Sequence, residues 1–247
     1  MPCGKLEGYP LLNPLLPLVP ELLIKRPDTS GIVFIQPWWY GSKNPMFVGY
    51  RMVDSIAESF MQYPHAHTLI MPESTFCFDL QAYKNFISIW SDDLQGATLL
   101  LGSHRKSDTG FLNSIFVLRD RCVVQVYDKQ HLMPFVERVP VFFDMFGCGN
   151  LFLKDHENVC AKSCEDLVVL QGQVCQIFVC SELFFQTKKV KGFPIIFLWN
   201  DAWLQFDWTK KLALKFIVYF SLKHSVAVIH ASTQGQTNLK FVHKSCK

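Results

Sequence analysis

Three side chains stand at the ends of apolar runs and together form a set that can do chemistry. Glu73 closes residues 68–73 (TLIMPE), Lys129 closes 123–129 (VVQVYDK) and Cys180 closes 174–180 (VCQIFVC). A carboxylate, an amine and a thiol suit attack on a carbonyl carbon. The thiolate is the nucleophile, and an unassisted cysteine is mostly protonated near neutral pH. A neighbouring carboxylate can take that proton and later return it to a leaving group. A lysine cation favours the thiolate and the oxyanion that follows attack, and the backbone N–H of Ser181 can complete an oxyanion hole. Singly, each has an ordinary explanation. A cysteine in an apolar strand is commonly a small core residue, and a glutamate or lysine at a strand end is commonly solvated. The set carries the reading, not its members.

Positioning these groups requires strand ends held by helices. Residues 31–37 (GIVFIQP) and 68–72 read as buried strands, with a helix over 47–63 between them whose apolar positions are Val48, Met52, Ile56 and Phe60. A second helix is predicted over 79–93, then strands over 97–104, 111–119 and 122–128. Residues 140–165 read as a long functional loop containing Gly147, Gly149 and Asn150. Strands return at 167–170, 174–180 and 194–199, and a helix over 207–223 precedes a strand over 226–231. The alternation implies an α/β domain with a mixed sheet. One domain over 31–247 is expected, preceded by a Pro-rich lead-in over 1–30.

Composition narrows the classes. With 49% hydrophobic and 18% charged residues, the chain can build a substantial core and is not disordered. A net charge of +3, scattered apart from the short run Lys188, Lys189 and Lys191, is no nucleic-acid footprint, so no nucleic-acid partner is expected. No Gly-rich phosphate loop is present, and no cofactor is expected. The apolar stretch 6–24 contains Pro10, Pro14, Pro17 and Pro20 with Glu7 and Glu21, which breaks any spanning helix. Nine cysteines and no secretory signal point to free thiols in a reducing, cytoplasmic setting. His156, Cys160 and Cys164 are spaced by four, with Cys148 and Cys175 near in sequence, which would suit zinc on a helix. No C-x₂-C pair accompanies them and the segment reads as loop, so no metal is expected. Trp38, Trp39, Tyr40, Phe142, Phe143 and Phe146 suit either core packing or an apolar mouth for acyl chains. The helix over 207–223 has a basic, solvated face at Lys210, Lys211, Lys215 and Lys223, with a membrane surface as the alternative neighbour.

Three blocks go further: LIMPES at 69–74, YDKQHLMPFVERVP at 127–140 and VCSE at 179–182. They resemble the motif blocks of the nitrilase, or carbon–nitrogen hydrolase, superfamily. The middle block, with WNDAW at 199–203 and IHASTQG at 229–235, is similar to the apolipoprotein N-acyltransferase branch. The resemblance covers roughly residues 31–240. It implies a four-layer α-β-β-α sandwich. It assigns Glu73 as general base, Lys129 as the family's lysine and Cys180 as nucleophile. Glu137 falls on an additional active-site glutamate, Glu182 on the acidic residue that follows the nucleophile, and Ser181 on a position that is commonly aromatic.

The activity implied is cysteine-dependent acyl transfer through a thioester, from a phospholipid to the N-terminal amine of a lipoprotein. The alternatives are a soluble amidase acting on a small amide, and an inactive remnant or partner-binding subunit. The sequence departs from the branch in lacking its membrane-spanning segments, in STQGQT at 232–237, and in stopping at Lys247. A C-terminally truncated domain is therefore expected, working through membrane-surface contact or a separate membrane subunit. The resemblance places such a domain at the inner membrane facing the periplasm, in contrast to the cysteine count.

Overall fold

The computed structural model describes residues 31–233 apart from 38–41, 43, 95, 109, 121, 134–136, 138–164, 203 and 205. Trp38, Trp39, Tyr40, Phe142, Phe143, Phe146 and the His156, Cys160 and Cys164 set lie outside those residues. So do the lead-in over 1–30 and the segment from 234 onward, including most of STQGQT.

Strands β1 (Ile32–Phe34), β2 (Thr68–Ile70), β3 (Thr98–Ser107), β4 (Gly110–Arg119) and β5 (Cys122–Asp128) form one sheet in that spatial order. The first three run parallel, and β3, β4 and β5 are antiparallel. A second sheet holds β6 (Leu167–Leu170), β7 (Gln173–Val179), β8 (Ile195–Trp199) and β9 (Val228–Ser232). In it β6 is antiparallel to β7, and β7, β8 and β9 are parallel. The mixed sheet that alternation alone predicts is thus split in two.

The split follows from strands that are apolar on both faces. Successive side chains of a strand face opposite ways. Leu69, Met71, Leu99, Leu101, Phe116 and Leu118 join one core, whereas Ile70, Leu100, Ile115 and Val117 join the other. Helices α1 (Pro45–Gln62) and α2 (Lys84–Asp93) cover the first face. The second sheet covers the other. Its far side takes α4 (Asp207–His224) through Ile217 and Phe220, the latter edge-on to Phe178 at 5.9 Å. A short helix α3 (Ser181–Phe184) connects β7 to this layer. The fold is a four-layer α-β-β-α sandwich.

Local chemistry sets the element ends. Asn44 Oδ1 accepts from the N–H groups of Met46 and Phe47 at 3.1 and 3.2 Å, and Pro45 opens α1. The helix predicted over 79–93 begins late. Asp79 bridges to His104 and its carboxylate takes the Gln81 N–H at 3.0 Å, so Leu80–Tyr83 forms a 3₁₀ turn before α2. Strands β3 and β4 extend past the predicted 104 and 111 because their ladder continues to Ser107↔Gly110. The last strand starts at Val228 because the Val226 N–H closes α4 on the Ser221 carbonyl at 3.1 Å.

Candidate active site

Glu73 leaves β2 in a turn pressed against β3. Thr75 Oγ1 donates to the Pro72 carbonyl at 2.8 Å, and the Gly102 N–H reaches the same oxygen at 3.3 Å. A Cβ on Gly102 would lie 2.5 Å from the Ser74 nitrogen and 2.7 Å from Glu73 Cα, so only glycine permits this approach. Ser74 takes a left-handed φ of 53°. Phe76, stacked on Trp90 at 5.2 Å, anchors the other end of the turn in the helix-side core.

Lys129 follows β5, and its side chain is fully buried. Its Nζ donates to Glu73 Oε1 at 2.9 Å and to Glu137 Oε2 at 2.7 Å. Asn113, from β4, spans the same two carboxylates, its Nδ2 donating to Glu73 Oε1 at 2.7 Å and Glu137 Oε1 at 2.9 Å. Backbone donors complete the frame: Asn200 N–H to Glu73 Oε2 at 3.0 Å, and Met133 N–H to Glu137 Oε2 at 2.7 Å.

Cys180 occupies the tight turn between β7 and α3 with φ 45° and ψ −108°. A side chain held in such a conformation stores about 1–3 kcal/mol of strain, sustained by its surroundings. Here the Cys180 N–H bonds the Leu198 carbonyl at 3.0 Å. Burial is the main force raising the thiol pKa well above its ordinary value. The charge of Glu73 adds to it, while Lys129 and the Ser181 N–H on the sulfur work the other way. Burial also raises Glu73, against the pull of Lys129 and helped by Glu137. For Lys129, burial disfavours the cation, but Glu73, Cys180 and Glu137 outweigh it and hold the amine above the usual lysine range. The arrangement sets a thiol whose ionisation burial disfavours beside a carboxylate of raised proton affinity and an amine whose cation is favoured. A proton can pass from sulfur to carboxylate while Lys129 stays charged.

Of the residues singled out in sequence, Glu73, Lys129, Glu137 and Cys180 converge here, with Ser181 contributing its N–H. Ser181 Oγ donates elsewhere, to the His131 carbonyl at 2.6 Å. Glu182 turns to a different cluster, taking Tyr127 OH, the Gln130 N–H, the Val179 N–H and Lys188. Sequence reasoning passed over Asn113, Asn200, Gly102, Tyr127 and Lys188. A signal existed for Asn113: an amide inside the apolar run FLNSIFVL must find buried partners. Among the described residues no His, Cys, Asp or Glu group is placed to hold a metal ion, and no helix is long and apolar enough to cross a membrane.

No family model matches the chain. Solved structures share its fold. A carbon–nitrogen hydrolase from Helicobacter pylori G27 superposes with a TM-score of 0.60 at 13% identity, over 83% of this chain and 73% of that one. An amidase of the nitrilase superfamily from Nesterenkonia AN1 gives 0.61 at 13% identity, over 84% and 78%. The fold is that of the nitrilase, or carbon–nitrogen hydrolase, superfamily. In sequence the chain is similar to the apolipoprotein N-acyltransferase of Campylobacter jejuni, at 26% identity over 176 residues. That match takes in 71% of this chain and 39% of the relative, so the chain spans well under half the length of that protein.

Proposed function

We propose that the protein is an acyltransferase that carries its acyl group as a thioester on Cys180, with Glu73 moving the proton and Lys129 facing the oxyanion. The supporting observation is the buried Lys129 amine, bonded to both Glu73 and Glu137 next to the strained Cys180 turn. The thiol proton passes to Glu73 as sulfur bonds to the ester carbonyl carbon. The resulting oxyanion meets Lys129 Nζ and the Ser181 N–H. The C–O bond then breaks and the leaving alcohol takes the proton from Glu73. In the second half an amine attacks the thioester and gives its proton to Glu73. The C–S bond breaks, and the sulfur recovers that proton.

The similarity to an apolipoprotein N-acyltransferase supports a phospholipid donor and a lipoprotein N-terminal amine as acceptor. Incubation with diacyl phospholipid vesicles, followed by intact-mass spectrometry, tests the assignment. The wild-type protein should gain one acyl group and Cys180→Ala none, while both unfold alike. An adduct that persists in Cys180→Ala overturns it. Discharge of the adduct by an S-diacylglyceryl-cysteine peptide supports the transferase. Acylation by small amides alone, discharged only by water, favours an amidase instead.

A further inference from the structure

Beneath the Cys180 turn lies a second buried ion pair that the proposed chemistry does not use. Lys188 Nζ is 3.0 Å from Glu182 Oε2, with side chains 5% and 0% exposed. The same amine donates to the Tyr127 hydroxyl at 2.8 Å and to the Ile177 carbonyl. It sits 4.4 Å from the ring centroids of both Tyr127 and Phe178. Glu182 accepts on Oε1 from Tyr127 OH at 2.6 Å and the Gln130 N–H at 2.8 Å, and on Oε2 from the Val179 N–H at 3.0 Å as well as Lys188. Gln130 is the residue after Lys129, and Val179 is the residue before Cys180. The two backbones come from different sheets and meet on one carboxylate.

We infer that Lys188 is a positioning residue: by pinning the Glu182 carboxylate in place, it fixes the backbone carrying Lys129 against the backbone carrying Cys180. Its catalytic meaning rests on the thioester reading above. A carboxylate offers about four acceptor sites, all filled here, so loss of Lys188 opens one of them. Without a cation, so deeply buried a carboxylate is left uncompensated and drags in water. Water entering there displaces the carboxylate that the Gln130 and Val179 N–H groups share. A displacement of about 1 Å between reacting groups lowers rate on the order of 100-fold.

Lys188→Met keeps the aliphatic stem between the two rings and removes the charge; Lys188→Arg keeps the charge. In the full chain, acyl-enzyme formation by quenched mass spectrometry should fall roughly 100-fold in Lys188→Met, with the half-saturating donor concentration unchanged. Lys188→Arg should recover most of the rate. Alkylation of Cys180 by iodoacetamide, which needs no acyl donor, should slow in parallel because the thiol drifts from Lys129. If Lys188→Met does not fold, Tyr127→Phe is read in the same way, with a loss of about 10-fold for one hydrogen bond. A folded variant that acylates and alkylates at the wild-type rates overturns the positioning role and leaves the thioester chemistry standing. Slowed alkylation in the variant, with no acyl-enzyme from any donor in the wild type, overturns the thioester chemistry and leaves the positioning role standing.

Discussion

Lys129 and Lys188 are both buried, both bonded to glutamate and both close to the Cys180 turn, yet their surroundings differ in charge balance. Lys129 serves two carboxylates, and Glu73 has three donors among the described residues. Lys188 is bonded to Glu182 with Asp166 within reach of its charge, and Glu182 has four donors among the described residues, two of them main-chain N–H groups. Burial, with Glu137 alongside, leaves the first cluster with a carboxylate of raised proton affinity. In the second cluster every acceptor site of Glu182 is already filled. A buried ion pair can thus relay a proton or hold a frame, and the ratio of charges and fixed donors decides which.

The largest effect expected from breaking this contrast is that of Lys129→Met. It leaves Glu73 and Glu137 buried together with Asn113 as their shared side-chain donor. Removing one partner of a buried pair costs about 3–5 kcal/mol, and the urea-unfolding midpoint should fall accordingly. No acyl adduct should form. If Lys129→Met kept full stability, the claim that its charge holds both carboxylates would fail.

Next in size is Glu73→Gln. It preserves shape and removes the base, so acylation should drop by roughly 10²–10⁴-fold while folding persists. The cysteine should respond in the opposite direction. Glu73 is one of the charges raising the Cys180 thiol, so alkylation of Cys180 should begin at lower pH in the variant. In the wild type the acid limb of the rate profile should lie above the ordinary carboxylate range. Below that limb Glu73 is protonated and cannot accept the thiol proton. Glu73→Gln should abolish the limb, and a retained limb would assign the proton transfer elsewhere.

Gly102→Ala tests the frame of the first cluster without touching its charges. The added Cβ meets backbone at 2.5 Å, and backbone cannot rotate away. A loss of about 1–3 kcal/mol and a rate fall of about 10-fold are expected, read from urea unfolding and acyl-adduct formation. An unaffected rate would mean that the Glu73 turn tolerates displacement.

The two clusters also differ in how far they could be read from sequence. Glu73, Lys129 and Cys180 each close an apolar run, and a polar residue ending a strand is visible in one dimension. Their partners are set by tertiary neighbours. Asn113 hides inside a run that reads as continuous core, and its need for partners does not say which ones. Lys188 sits with Lys189 and Lys191 in a short basic run. That one of the three is enclosed by Tyr127 and Phe178 depends on strands far away in sequence. Alternation alone likewise read one mixed sheet where the motif blocks implied a four-layer sandwich, since a strand apolar on both faces does not reveal what lies beyond each. Helix α1 was legible because its apolar stripe at Val48, Met52 and Ile56 repeats every four residues and buries as one face.

Ser181→Ala carries the smallest expected effect and makes the contrast sharper still. Ser181 lies between the clusters, adjacent in sequence to both Cys180 and Glu182. Its N–H serves the sulfur, and its hydroxyl ties the His131 carbonyl, two residues past Lys129, at 2.6 Å. The hydroxyl is therefore a second link between the two strand ends that Glu182 joins. Alanine keeps the N–H and loses only that neutral bond, worth about 1 kcal/mol. Acylation should stay within about threefold of wild type, with the alkylation profile of Cys180 unmoved. A loss matching that of Lys188→Met would mean that the loop after Lys129 is held by the serine hydroxyl and not by the Glu182 carboxylate. The division between a lysine beside the proton relay and a frame-holding one would then have to be redrawn around Ser181.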